Sequence, residues 1–237
     1  MHKFKQTGGA SIINYDVQGQ RRQHTHNNEL MPHQPGIFNA VMVGSTGSGK
    51  TNALLNMLFD FLKYDRLYVY AQNSEQPVYE RLQEKLENIA EKHDIDPDEI
   101  YHFGTSLADV VQVNDIPNDG KVSVVVFDDF VLEKDQSMIE EFYVRGRHKK
   151  CITIYLSQSY SLVPITIRRN SRVFMIWSAT RGRDIGLFGA DAASEIPPKE
   201  FKQMFNTATA GRYNFLYVDR LEDGDKKFRR NFDGFLI

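Results

Sequence analysis

The sequence predicts an α/β fold: a mainly parallel, twisted sheet with helices on both faces and a C-terminal β-hairpin. Three observations predict it. Short apolar runs alternate with amphipathic stretches over residues 37–190, the pattern of parallel strands joined by crossover helices. A glycine-rich loop, GSTGSGKT, separates one such run from the stretch that follows it. A second apolar run, VSVVVFDDF, closes on two carboxylates.

The elements follow in order. Residues 1–35 are polar and rich in Gln, Asn, His and Gly, and they end in Pro32 and Pro35. This composition predicts a flexible N-terminal arm ahead of a single domain over 36–237. His24, His26 and His33 lack a Cys or a second spaced pair, so they read as solvated loop histidines rather than a metal site. IFNAVMV (37–43) ends at a glycine, as a buried strand does. A helix from Gly49 places Leu54, Leu55, Leu58, Phe59 and Leu62 on one face.

RLYVYA (66–71) is the next strand, and Pro77 opens a helix with Tyr79, Leu82, Leu86, Ile89 and Ala90 as its apolar stripe. Further strands are predicted at 100–104, 121–130, 151–158 and 172–179. Between them, Met138, Ile139, Phe142 and Tyr143 mark a helix that runs toward Gly146. Pro197-Pro198 opens another helix, with Phe201, Met204 and Phe205. The stretch 213–237, with a turn around Asp223-Gly224, reads as the C-terminal hairpin.

Composition narrows the class. The 237 residues suit one α/β domain, and 41% hydrophobic with 25% charged is ordinary for a globular chain. A net charge of −2 excludes a chain that is basic throughout and leaves room for a local basic patch. Cys151 is the single cysteine, so no intrachain disulfide forms and a reducing setting fits. No run approaches the ~20 apolar residues of a membrane span. The N-terminus lacks an apolar signal core, so neither membrane insertion nor secretion is expected.

Gly44, Ser45, Thr46, Gly47, Ser48, Gly49, Lys50 and Thr51 fill the pattern GxxxxGK[ST], directly after a strand and at the start of a helix. Glycines let successive N–H groups turn inward around phosphates, and the helix N-terminus adds its positive dipole end. Lys50 then reaches the β and γ phosphates, Thr51 offers a hydroxyl to Mg²⁺, and Asn52 continues the binding segment. The spacing does not fit GxGxxG, which disfavours a dinucleotide fold.

Asp128 and Asp129 stand at the carboxyl end of their strand, where ligands bind in open α/β sheets. Asp128 is placed to hold Mg²⁺, and Asp129 to orient and deprotonate a water attacking the γ phosphate. CITIYLSQ ends in Gln158, which points into the same site if its strand lies beside the phosphate-loop strand. Arg145, Arg147, Arg168 and Arg169 are candidates for an arginine inserted into a neighbouring subunit's site. Lys226, Lys227, Arg229 and Arg230 of the hairpin are candidates for contact with DNA phosphates or a ring neighbour.

The order GSTGSGKT, VVVFDD, GRHKKCITIYLSQS, IRRNSRVFMIW resembles the FtsK–HerA superfamily of ring-forming DNA-pumping ATPases. The Gly-Arg pair (Gly146, Arg147), the Gln at the next strand end (Gln158), and Asn170 and Arg172 before the last core strand carry the likeness. Within the superfamily the chain is most similar to the genome-packaging ATPases of large DNA viruses and virophages. RLYVYAQNSEQPVYERL, the spacing from Val163 to Asn170 and the closing NFDGF carry that part. Asp129 stands where the wider superfamily has glutamate.

The resemblance implies a RecA-like core using ATP and Mg²⁺ and assembled as a pentameric or hexameric ring. It also implies threading of double-stranded DNA without sequence preference into a capsid, in contact with capsid proteins. The expected place is the virion or the host-cell cytoplasm at sites of assembly. Two other classes share the phosphate loop. A small-molecule kinase would need a mobile arginine lid, for which only Arg181 to Arg183 offers itself. A non-hydrolysing nucleotide-dependent adaptor would have no use for Asp129 and Gln158.

Overall fold

The computed structural model describes residues 24–33, 35–73, 76–178 and 182–235. Among the described residues, nine strands form one sheet in the order β3-β2-β4-β5-β1-β6-β7-β8-β9. The strands are β1 Asn39–Val43, β2 Arg66–Ala71, β3 Tyr101–Gly104, β4 Ser123–Asp128, β5 Cys151–Ser157, β6 Val173–Trp177, β7 Phe215–Asp219, β8 Phe228–Arg230 and β9 Gly234–Phe235. The first six are mutually parallel, and β7 to β9 add on antiparallel. The predicted fold class is the one observed, hairpin included.

The central strands are covered on both faces. Every residue of β4 and of β5 is buried, as expected of parallel strands under two helical layers. Alternate residues feed two cores. Val41, Val43, Val125 and Phe127 face one layer, and Ala40, Met42, Val124 and Val126 face the other.

The first layer holds α4 (Ser137–Arg145), α5 (Ile165–Asn170), α6 (Gly182–Ala192) and α7 (Pro198–Ala208). The second holds α1 (Lys50–Asn56), which runs on as a π turn to Phe61, and α2 (Pro77–His93). A single turn, α3 (Pro97–Ile100), leads into β3. Ile89, assigned to the apolar stripe of α2, is instead exposed, and Ala90 is the buried position of that turn.

The connections differ. One α-helix joins β1 to β2, β4 to β5 and β5 to β6, while α2 and the single turn α3 join β2 to β3. Only short 3₁₀ turns lie between β3 and β4, and α6 and α7 both join β6 to β7. α6 leaves the carboxyl edge of the sheet and α7 returns to it, so β7 starts at that edge and runs backward. Sequence reading missed α5 and α6. ITIRRN is short and sits behind Pro164, and α6 carries three glycines, which lowers its helix propensity. Packing overrides that weakness. A Cβ at Gly189 would lie 2.7 Å from Phe201 of α7, so glycine lets the two helices approach.

Residues 24–33 and 35 do not behave as the expected loose arm. Asn27 N–H and Asn28 N–H donate to Phe61 O, and Arg229 Nη1 donates to Leu30 O at 2.8 Å. Met31 is buried in the second core. His26 is buried too, with Nε2 bonded to Gly36 O at 2.7 Å and Nδ1 accepting from Lys63 N–H at 3.4 Å. Burial pushes its pKa down to about 4. The reading of this histidine as solvated is therefore corrected. The part of the arm at 1–23 lies outside the described residues.

Candidate active site

The strand order assembles the site. β5 lies between β1 and β4, so the loop after β1, the acids ending β4 and the glutamine after β5 share the carboxyl edge. Gly44 N–H donates to Ser157 O at 3.1 Å, and Asp129 N–H donates to Leu156 O at 3.3 Å. Gln158, expected to point inward if these strands were neighbours, donates from Nε2 to both carboxylate oxygens of Asp129 at 3.2 Å.

The phosphate loop takes the shape its glycines permit. Gly49 caps α1 at φ 103°, a conformation a side chain would strain. A Cβ on Gly44 would meet Ser48 Oγ at 2.6 Å and Trp177 Cβ at 2.8 Å, so the loop closes against β6 only through glycine. Lys50 Nζ donates back to Gly44 O at 2.6 Å and Ser45 O at 3.2 Å. Burial lowers the Lys50 pKa, and the nearby Asp128 and Asp129 oppose that shift. Ser48 Oγ is buried with no hydrogen-bond partner among the described residues. A cradle with an orphaned donor, a half-buried ammonium and a helix N-terminus fits a polyphosphate.

The two acids differ. Asp128 is buried, and Tyr79 OH donates to its Oδ2 at 2.6 Å. Burial raises the Asp128 pKa, against the pull of the Tyr79 hydrogen bond and Lys50. Burial, followed by the charge of Asp128, holds the Tyr79 phenol far above its ordinary value, so it stays a donor. Asp129 is half-buried and left-handed at φ 66°, a strained geometry that aspartate tolerates better than most residues. That twist turns its carboxylate toward Gln158 instead of along the strand. Mg²⁺ takes few protein ligands and keeps several waters, which suits one carboxylate, Asp128, and one hydroxyl, Thr51. Among the described residues, no group of three His, Cys, Asp or Glu gathers as a metal cage.

Gln158 is exposed, but the three residues that follow it are pinned. Asp184 of α6 accepts from Ser159 Oγ at 2.7 Å, Tyr160 N–H at 2.9 Å and Ser161 N–H at 3.2 Å. Sequence reading missed Asp184 and Tyr79. The latter had been placed on an apolar stripe, where its hydroxyl was the available signal, since a buried tyrosine seeks a partner.

The arginine candidates lie elsewhere. Asn39, at the start of β1, donates to Tyr143 O and Asn170 O, which places the ends of α4 and α5 at the edge opposite the phosphate loop. Arg145 pairs with Glu141, and Arg168 pairs with Asp191 at 2.6 Å. Arg147 and Arg169 are exposed and make no ion pair among the described residues. The structure thus brings none of the four into this chain's own site. Arg172 is buried, with Nε on Asp219 at 2.7 Å and Nη1 on Pro35 O at 3.0 Å. Arg229 is also buried, so it drops out as a contact for DNA; Lys226 and Arg230 remain exposed. In the lid segment Arg181 lies outside the described residues, and Gly182 opens α6.

Residues 24–188 match the family described as poxvirus A32 protein. The chain belongs to the poxvirus A32 protein family. The match spans the phosphate loop, both acids, Gln158 and the packed segment from His24 onward. No curated protein matches the chain. Among solved structures it is similar to the genome-packaging NTPase B204 of Sulfolobus turreted icosahedral virus 2 in complex with AMPPCP. That match has 14% identity and a TM-score of 0.52 and covers 84% of this chain and 98% of that one. It is also similar to B204, the DNA-packaging ATPase of Sulfolobus turreted icosahedral virus. There the identity is 13% and the TM-score 0.54, over 82% of this chain and 96% of that one. At such identities the likeness is one of fold, and it places this A32-family chain on the P-loop NTPase architecture expected from its motifs.

Proposed function

We propose that this A32-family chain is an ATP-driven motor that moves double-stranded DNA into a preformed viral capsid, working as a ring. One observation carries the reading. The phosphate loop, the Asp128–Asp129 pair and Gln158 converge on one edge, with Gln158 Nε2 at 3.2 Å from both oxygens of Asp129. A protein that only bound nucleotide would need no carboxylate and amide poised together beyond the lysine. The family, and the description of B204 as a genome-packaging NTPase, support packaging as the work done.

In this reading Lys50 and the loop N–H groups hold the β and γ phosphates, with Gly44 to Asn52 as the binding segment. Thr51 and Asp128 hold Mg²⁺, which when bound neutralises charge developing on the phosphate oxygens. Asp129 orients a water and takes its proton, and Gln158 fixes that water's direction. The shorter aspartate reaches the water with the amide as its partner. Arg147 and Arg169, exposed at the far edge, are the arginines available to a neighbouring subunit's site. That geometry gives hydrolysis at subunit interfaces. DNA contacts would fall on phosphates and weaken with salt. Assembly would take place at the virion or in the host cytoplasm, with capsid proteins as partners. No helix of the described residues is long and apolar enough to cross a membrane.

The test is ATP hydrolysis measured against protein concentration, with and without long duplex DNA. The expected rate per chain rises with concentration and rises again with DNA. A rate flat in concentration and indifferent to DNA would overturn the motor. Phosphorylated nucleoside as the product would point to a kinase instead.

A further inference from the structure

Strand order gives the nucleotide groove a direction. The acids lie to one side of β1, at the end of β4 and beyond the intervening β5, which leads into Gln158. Tyr79 of α2 reaches Asp128 on that flank. On the other side lie β6 and then β7. Because β7 is antiparallel, its beginning reaches the carboxyl edge, where Phe215 pairs with Trp177. A triphosphate tail whose last phosphate faces the acids therefore carries its base toward the start of β7. Tyr213 stands there.

Tyr213 shares one cavity with the phosphate loop. The space measures about 510 Å³ and runs from Gln76, Val78 and Arg81 of the α2 flank across Gly47–Asn52 to Tyr213. Tyr213 is 53% exposed, so its position is not explained by core packing. Its backbone is left-handed at φ 68°, unusual for an aromatic residue. Trp177 Nε1 holds the Tyr213 carbonyl at 3.1 Å. The ring edge lies so near the loop that a Cβ on Gly49 would meet its Cδ1 at 3.3 Å. An exposed ring held in a strained conformation beside a phosphate cradle has the properties of a stacking surface.

We propose that Tyr213 is the platform on which the base of the bound nucleotide stacks. This inference rests on the nucleotide reading above and names the base subsite within it. Recognition by a ring face is tolerant, because every base presents one. The site accordingly takes nucleoside triphosphates as a class, ATP and GTP alike.

The experiment compares binding of ATP, GTP and inorganic tripolyphosphate to the full chain and to Tyr213→Gly and Tyr213→Phe. Glycine accepts the left-handed backbone, so that variant removes the ring without adding strain. Tyr213→Gly should weaken ATP and GTP about 10- to 100-fold and leave tripolyphosphate unchanged, and Tyr213→Phe should bind all three like the parent chain. Equal loss of tripolyphosphate, or no loss of ATP, would overturn the platform. So would a preference for ATP over GTP on the order of 10⁴, the mark of edge hydrogen bonding. A parent chain that bound none of the three would instead end the nucleotide reading itself.

Discussion

Two clusters of charge lie on opposite sides of β1, and they are built in opposite ways. At the antiparallel side, the buried Arg172 donates to the buried Asp219, to the Pro35 carbonyl and to the partly exposed Glu222. At the parallel side, Gln158 reaches Asp129 by two bonds of 3.2 Å, the Asp129 backbone is strained, and Ser48 Oγ has no partner among the described residues. The first cluster is saturated and ties the N-terminal segment to the C-terminal strands. The second holds unspent donors and strain, which is where a ligand gains most. Charge alone does not mark function. What marks it is the degree to which the charges are already satisfied.

The sharpest way to break this contrast is to strike each cluster singly. Asp129→Asn should cut steady-state ATP hydrolysis by about 10²–10⁴ while ATP binding and the unfolding midpoint hold. Unchanged turnover would remove Asp129 from the chemistry. Arg172→Ala should do the reverse. Leaving Asp219 buried and unpaired costs about 3–5 kcal/mol, read by urea unfolding, with turnover per folded molecule retained. Loss of turnover without loss of stability would erase the distinction between the clusters.

A smaller effect concerns pH. His26 is neutral when folded, with its pKa lowered to about 4 from 6.5 by burial. Above pH 6.5 the ring is neutral in both states and contributes nothing to pH dependence. Between 6.5 and 4 the unfolded chain takes up a proton that the folded chain refuses, so stability falls as pH falls. The loss is roughly 2 kcal/mol once partial contact with solvent is discounted. His26→Gln should flatten that part of the curve, and a slope that persisted would locate the titration elsewhere. The smallest effect joins the two modes of construction. Tyr79→Phe removes one buried hydrogen bond from Asp128, and the Mg²⁺ needed for half-maximal hydrolysis should rise about 10-fold. An unaltered Mg²⁺ dependence would mean that Tyr79 only packs.

Much of the fold was legible because its signals are local. Each parallel strand is a short apolar run, and the phosphate loop announces itself through glycines whose φ values demand them. Gln158 was readable only jointly with the strand order, which the sequence leaves open. What escaped depended on distant partners. α6 forms despite Gly182, Gly186 and Gly189 because Phe201 packs on it. Tyr79 and Tyr213 look alike in the sequence, yet one is a buried donor to a carboxylate and the other an exposed ring on a strained turn. Arg172 and Arg229 sit in basic stretches that suggest solvent or nucleic acid, and both are buried in the fold.

Cys151, at the start of β5, is buried, and burial pushes its thiol up to about 12. Maleimides and other thiol reagents, which attack the thiolate, should pass the native chain by and label it only once it unfolds. A dye or cross-linker carried on a cysteine introduced at Arg147 or Lys226 would therefore report from one chosen place, with no background from the parent sulfur.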